Sequence, residues 1–266
     1  MISLTKAPAY ATIQDLGRRG FRASGVPRAG AMDSAALATL NTLLGNNCGA
    51  AGVEWALTGG QLEFGEVSTF AMGGAEASAS LNGSAIEPYR AYHASSGDSL
   101  VVESLTGGRF LYVCFAGGVE CDLVMKSRST YVLAGFGGLE GRRLKTGDVL
   151  KLGNTKGRKK PQVSDQLPEE LRPPLRTELI RYVARDTGDA NESLSGSFSV
   201  SPASDRTGYR LTGELTMKGG SATSEPVCPG AIQLPPGGEP IVLMADAPTI
   251  GGYRIVGGVI SADLGS

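Results

Sequence analysis

The chain has 266 residues, with 25 Lys plus Arg against 26 Asp plus Glu and a formal net charge of −1. That balance sets up no overall field toward nucleic acid or an anionic membrane surface, and no stretch has the length of a membrane span. Glycine, at 39 residues, is about twice its ordinary usage and helix-favouring charged runs are scarce, which favours many strands joined by tight turns. The length admits one large all-β domain or two of ordinary size. Cys48, Cys114, Cys121 and Cys228 are widely spaced with no CxxC pair. This disfavours a disulfide framework or a zinc site and fits thiols in a reducing cytosol. The opening Met1-Ile2-Ser3-Leu4-Thr5-Lys6 has no signal-peptide core, so the expected compartment is cytoplasmic.

The stretch Thr12–Asn46 organises the chain: a strand-like start, a loop rich in glycine and arginine, then the clearest helix in the sequence. Asp33 is a good N-cap, because its carboxylate can accept from backbone N–H groups that the first turn leaves unpaired. Met32 and Leu37 occupy the N′ and N4 positions of a hydrophobic staple. Leu37, Leu40 and Leu44 form an apolar stripe, and Gly45 can end the helix in a left-handed conformation. The loop from Gly17-Arg18-Arg19-Gly20 to Val26-Pro27-Arg28-Ala29-Gly30 places cations and backbone donors beside a positive helix end. Such a place suits a carboxylate or phosphate, although the residues taken by themselves favour a structured turn with solvated arginines, since capped helices are common.

Beyond the helix the pattern shortens to strand-sized pieces at Gln61–Phe64, Val67–Met72 and Ala77–Leu81, the last running to an Asn82-Gly83 hairpin signal. Ser99–Ser104 and Arg109–Ala116 read as two strands joined by Leu105-Thr106-Gly107-Gly108, and Val149–Leu152 follows a turn at Thr146-Gly147-Asp148. The rhythm indicates a barrel or sandwich rather than βαβ units. From Gly153 to Arg176 the chain has little to bury and reads as a connector. Its basic run Gly157-Arg158-Lys159-Lys160-Pro161 reads as a solvated loop. A second β-rich section follows, with strands expected at Leu179–Ala184, Ser197–Val200, Tyr209–Thr212, Ala231–Leu234, Ile241–Ala245 and Tyr253–Ala262.

Several common catalytic devices are missing. There is no GxxxxGK[ST] to hold ATP and no GxSxG elbow. Gly135-Phe136-Gly137-Gly138-Leu139-Glu140-Gly141 lacks GxGxxG spacing and reads as a β-turn. His93 is the only histidine and is expected to be structural or at the surface. Met125-Lys126 is followed by Ser127, which argues against a biotinylated lysine. What remains is a set of hydroxyls and charges in turn-rich segments. Ser127-Arg128-Ser129 puts a planar guanidinium between two hydroxyls, a group that can grip a carboxylate or pin a loop. Ser204-Asp205-Arg206 with Tyr209-Arg210 offers an acid, cations and a phenol, or an internal Asp–Arg bridge. Glu225, Asp246 and Tyr253 are further candidates for proton transfer or substrate contact.

Blocks of the sequence also resemble a known family. TIQDLGRRGF, GVPRAGAMD, Met125–Thr130, Ala134–Arg142, Val200–Leu211, Gly230–Gly238 and Asp246–Tyr253 run in the order of the KipA family. The same family is described as the 5-oxoprolinase C subunit (PxpC), or as the allophanate hydrolase subunit 2, biotin-dependent carboxyltransferase-like family. The resemblance implies a mainly β fold of two cyclophilin-like β-barrel units with few short helices. The divisions expected are 1–155 with a helix at 33–45, a connector at 156–176, and 177–266. It implies one component of an ATP-dependent 5-oxoprolinase, inactive alone, that works with a KipI-like B subunit and a LamB/YcsF-type A subunit. ATP would be bound by the complex and not by a motif in this chain, and no metal is implied. Asp33, Asp205 and Glu225 are then the acid–base candidates, and Arg28, Ser127, Arg128, Arg206, Tyr209 and Tyr253 the substrate-binding ones. Two other activities fit the resemblance: antagonism of a KipI-like inhibitor of a sporulation histidine kinase, and carboxyl transfer in a biotin-dependent urea or amide carboxylase. The sequence departs from the family at Ala184–Asp189, where members carry a Pro-Gly-Pro turn. It also ends at Ser266, where relatives are expected to continue to a closing strand.

Overall fold

The computed structural model describes residues 1–155, 166–174, 179–185, 194, 197–213 and 219–264. The basic run at 157–161 and the Asp186–Asp189 part of the family departure lie outside the described residues. The chain forms two compact units: Met1–Gly17 with Asp33–Arg176, and Arg18–Met32 with Thr177–Gly265. Both are mainly β, in keeping with two β-barrel units, and the described residues contain one α-helix and three short 3-10 helices.

The first unit contains β1 (Ile2–Lys6), β2 (Tyr10–Gln14), α1 (Ser34–Leu43), β3 (Gly52–Ala56), β4 (Gly60–Phe64), β5 (Ser68–Leu81), β6 (Ser84–Ala85), β7 (Tyr92–Ala94), β8 (Ser99–Phe115), β9 (Val119–Glu120) and β10 (Val149–Leu152). They form a ten-stranded sheet in the order β2-β3-β8-β4-β1-β10-β9, with β5 paired to β6, β7 and β8. The sequence divides β5 into Val67–Met72 and Ala77–Leu81, and β8 into Ser99–Ser104 and Arg109–Ala116; the structure corrects both to one long strand. The glycines that look like breaks are bulges instead: the β5–β8 register shifts between Gly74 and Glu76, Glu76 and Ala77, and Ser78 and Ala79. Each bulge bends the strand without ending its pairing. Besides β5, β8 serves two further neighbours, pairing β4 through Ser99–Val102 and β3 through Phe110–Val113. The Asn82-Gly83 hairpin forms as expected, with φ of 50° and 80° and Leu81 opposite Ser84.

Inside this unit Trp55, Phe64, Phe70, Leu111 and Phe115 are wholly buried, and the rings of Phe64 and Phe70 lie 5.0 Å apart. Helix α1 covers β5 and β8 and buries Leu37, Leu40 and Leu43. Gly45, just beyond it, takes φ of 70° as the left-handed terminator.

The second unit contains β11 (Tyr182–Ala184), β12 (Ser199–Val200), β13 (Gly208–Thr212), β14 (Ser221–Pro226), β15 (Ala231–Leu234), β16 (Ile241–Leu243) and β17 (Ile250–Val259). Their order is β11-β17-β15-β16-β13-β12, with β14 on β17. The core is small: Val227, Leu243 and Ala247 in one cluster, Ile232, Leu234 and Val256 in another. Two arginines fasten the segment 18–32 into this unit. Arg22 donates to the carbonyls of Val227 and Pro248, the latter at 3.0 Å. Arg206 donates to the Gly30 carbonyl at 2.6 Å.

Candidate functional site

Asp33 stands at the head of α1 because its extended backbone (φ −104°, ψ 90°) lets its carboxylate accept the Ala36 N–H at 2.8 Å. Its own N–H, which the helix cannot use, donates to the Tyr112 hydroxyl at 2.8 Å. That hydroxyl in turn donates to the Glu54 carboxylate at 2.8 Å. Glu54 on β3 and Tyr112 on β8 are directly opposed, and Gly73 on β5 is opposed to Tyr112 from the other side. The three positions therefore form one row across three strands. Glu54 and Tyr112 are completely buried. Tyr89 lies over Gly73: a Cβ at Gly73 would come within 2.7 Å of the tyrosine ring. The Tyr89 hydroxyl accepts the Gly74 N–H at 3.0 Å. Its N–H donates to the Met72 carbonyl at 2.7 Å, which holds the residue at φ of 56°.

The acid–base character of the cluster follows from burial. Desolvation pushes the Asp33 carboxyl up to about 6, against the pull of the Ala36 and Ala35 N–H groups, and the Glu54 carboxylate adds to the rise. Burial, aided by Asp33 and opposed by the Gly74 N–H, pushes the Tyr89 phenol up to about 12. Tyr112 is raised further by burial and by both carboxylates. The phenols thus stay protonated, while the half-buried Asp33 changes charge close to neutral pH. A titrating group of that kind can both give and take a proton.

The other sequence candidates occupy different surroundings. In the first unit, Asp15 at the end of β2 accepts from the Ser127 hydroxyl at 2.7 Å, the Arg128 N–H at 2.6 Å, the Gly17 N–H at 2.7 Å and the Ser129 hydroxyl. The hydroxyls that flank Arg128 thus grip a carboxylate of their own chain, and the Arg128 guanidinium pairs with Glu120. In the second unit, Asp205 accepts from the Thr207 and Gly208 N–H groups at 2.8 and 3.2 Å and so shapes its own turn. Arg206 makes a buried bidentate pair with Asp246 at 3.0 and 2.9 Å. Glu225 pairs with Arg185 at 2.7 Å. Tyr209 is half-buried on β13, and Tyr253 is exposed on β17 opposite Ser221. Burial, and to a smaller extent the neighbouring Arg19, lower Arg28. His93 lies exposed on β7 beside Thr69.

The model of the carboxyltransferase domain, subdomain A and B, matches residues 24–266. The chain belongs to this carboxyltransferase-domain family. It is similar to the 5-oxoprolinase C subunit of Escherichia coli, at 35% identity over 99% of this chain and 86% of that protein. The Haemophilus influenzae 5-oxoprolinase C subunit is also 35% identical, over 100% of this chain and 86% of its own length. The crystal structure of the K. lactis urea amidolyase superposes with a TM-score of 0.89 at 28% identity over 99% of this chain. The match takes up 18% of that much longer protein.

Within this family member the sequence reading finds Asp33 by its capping position, and it misses Glu54, Tyr112 and Tyr89. A signal for Glu54 is present: it is the single charge in Gly52-Val53-Glu54-Trp55-Ala56, a strand in which every residue is buried. A lone acid in such a run needs a buried partner. Tyr112 carries no comparable signal in Phe110-Leu111-Tyr112-Val113-Cys114-Phe115, where a tyrosine reads as core.

Proposed function

We propose that the chain is the C subunit of an ATP-dependent 5-oxoprolinase, a heteromeric hydrolase that opens 5-oxo-L-proline to L-glutamate. The reading is carried by one observation: 35% identity to the E. coli protein over 99% of this chain and 86% of that one. The geometry adds a proton-transfer group in Asp33. Opening a lactam forms a bond from water oxygen to the ring carbon and breaks the ring C–N bond. In this scheme the Asp33 carboxylate takes the proton from the attacking water and returns it to the departing nitrogen. Asp205 and Glu225 are already bound to a backbone turn and to an arginine, which leaves Asp33 as the acid–base residue of choice. Arg28 is also a candidate cation for a substrate carboxylate or phosphate. Ser127, Arg128, Arg206, Tyr209 and Tyr253 are candidates of lower rank.

ATP, bound by the complex, would activate the poorly electrophilic lactam carbonyl through its oxygen. The one glycine-rich run of this chain does not fit it. A Cβ at Gly138 would lie 2.0 Å from the Thr130 hydroxyl, and one at Gly141 would lie 2.0 Å from the Gly135 backbone. These glycines are spent on packing against their own unit, not on the close approach of a phosphate. Nucleotide is therefore assigned to the complex, with a KipI-like B subunit and a LamB/YcsF-type A subunit as the partners, and no step on this chain is drawn through it. Glutamate release from 5-oxoproline with ATP is the test, measured for this chain alone, the partners alone and the mixture. Activity in the mixture only is expected. An assembled mixture, verified by gel filtration, that releases no glutamate rejects the substrate.

The likeness to urea amidolyase, with its TM-score of 0.89, favours a second reading: a carboxyltransferase module fed by a biotin domain on another chain. ATP- and bicarbonate-dependent carboxylation of urea in the presence of a biotin carboxylase partner would select it.

A further inference from the structure

We propose that Glu54 and Tyr112 are positioning residues for Asp33: Glu54 holds the Tyr112 hydroxyl so that its oxygen receives the Asp33 N–H. This inference rests on the acid–base role given to Asp33 under the proposed function. The chain of contacts is directional. The Tyr112 hydroxyl has one proton, which Glu54 accepts at 2.8 Å, and that leaves an oxygen lone pair turned toward the Asp33 N–H, also at 2.8 Å. Without an acceptor oxygen at position 54 the hydroxyl is free to rotate, and the backbone of Asp33 loses a fixed partner. Both β3 and β8 are paired on each side and hold this row rigidly, which is how a buried network sets the geometry of a functional group it does not itself replace.

Glu54 also contributes charge. The titratable groups that face Asp33 are Glu54 from β3, Tyr112 from β8 and Tyr89 from the loop after β6. Tyr89 is in turn faced by Arg172 and Cys114. Among the described residues facing Asp33, Glu54 presents the carboxylate, and its charge opposes ionisation of Asp33. Two substitutions separate geometry from charge. Glu54→Gln keeps an oxygen to accept the Tyr112 hydroxyl and removes the charge. Tyr112→Phe keeps the charge and removes the bridge.

The experiment follows Asp33 in the full-length chain by the carboxyl-carbon NMR signal of labelled aspartate, assigned with Asp33→Asn. It runs beside pH–rate profiles of the reconstituted complex. In Glu54→Gln the Asp33 midpoint is expected to fall by about half a pH unit, a roughly threefold change in proton affinity, and the acid limb of the rate profile to fall with it. In Tyr112→Phe the expected result is a kcat about tenfold lower or more with KM nearly unchanged, because a small misplacement of the group slows chemistry and not binding. A wild-type kcat in Tyr112→Phe overturns the positioning role; if that variant does not fold, Glu54→Ala, which removes the acceptor of the Tyr112 hydroxyl, is read in its place with the same expected loss of kcat. An Asp33 midpoint unmoved in Glu54→Gln, with a wild-type rate profile, overturns the proposal while Asp33→Asn remains inactive. A moved NMR midpoint with an unmoved rate profile shows that the Glu54 charge reaches Asp33 and overturns the acid–base role of Asp33.

Discussion

Because burial lifts the Asp33 carboxyl from its ordinary 3.8 to about 6, the folded chain holds that proton more tightly than the unfolded chain does. This group's contribution to stability is therefore most favourable below about pH 4, declines as pH rises to about 6, and is constant above. The full displacement corresponds to at most about 3 kcal/mol, reduced by solvent screening because the group is only half-buried. Asp33→Asn keeps a capping oxygen and cannot ionise. Urea denaturation is therefore expected to show this variant gaining on the wild type, by about 1–3 kcal/mol, as pH goes from about 4 to about 6.5. A difference that stays flat with pH would place the carboxyl in an ordinary aqueous environment. Asp33→Ala loses the cap as well, at a further cost of about 1 kcal/mol at every pH. Gly73 poses a steric problem beside it. A methyl group there would sit 2.7 Å from the Tyr89 ring, and Tyr89 is tied at both its N–H and its hydroxyl. Gly73→Ala is expected to cost about 1–3 kcal/mol and to shift the Tyr89 absorption band, read by thermal melts and difference spectroscopy.

At the scale of elements, two buried charge clusters hold loops to strands. Asp15 draws residues 127–129 onto the end of β2, and Arg206 with Asp246 holds Gly30 within the second unit. Side chains of both Arg206 and Asp246 are only 6% exposed. Removing one partner of such a pair leaves an uncompensated buried charge, a loss of about 3–5 kcal/mol. Arg206→Ala is expected to loosen the segment 18–32, and limited trypsin digestion should then cut faster after Arg19 and Arg22 than in the wild type. Equal cleavage rates would show that Arg22 and the rest of the segment anchor it without Arg206. These elements differ in how legible they are from sequence, for physical reasons. Helix α1 and its cap are readable because capping and the 3.6-residue period are local. Hairpins such as Asn82-Gly83 are readable because the turn demands positive φ. The continuity of β5 and β8 is not, since a glycine in a bulge and a glycine in a turn look alike until the pairing partner is known. The Glu54–Tyr112–Asp33 row is hidden for the same reason: it exists only through the register of β3 on β8. Asp205 and Arg206 read as a charged cluster, yet the acid that pairs with Arg206 is Asp246, 40 residues away.

At the scale of the whole molecule, the proposed obligatory assembly and the acid–base role proposed for Asp33 together predict what neither predicts alone. If Asp33 acts only in proton transfer, Asp33→Asn leaves the docking surfaces of the chain intact, and the variant occupies its place in the complex without turning over. Adding the variant to wild-type chain at equal concentration, with partners limiting, is then expected to cut glutamate release to about half. Larger excesses would lower it further in proportion to the wild-type fraction, by simple mass action. A variant that is inactive because its α1 terminus has come apart would not compete, and the rate would stay at the wild-type value. Asp205→Asn and Glu225→Gln supply the contrast. Their carboxylates serve a turn and a surface pair, so each should assemble and sustain at least about half of the wild-type rate. Loss of turnover in either one, with assembly intact, would move the acid–base assignment from the first unit to the second.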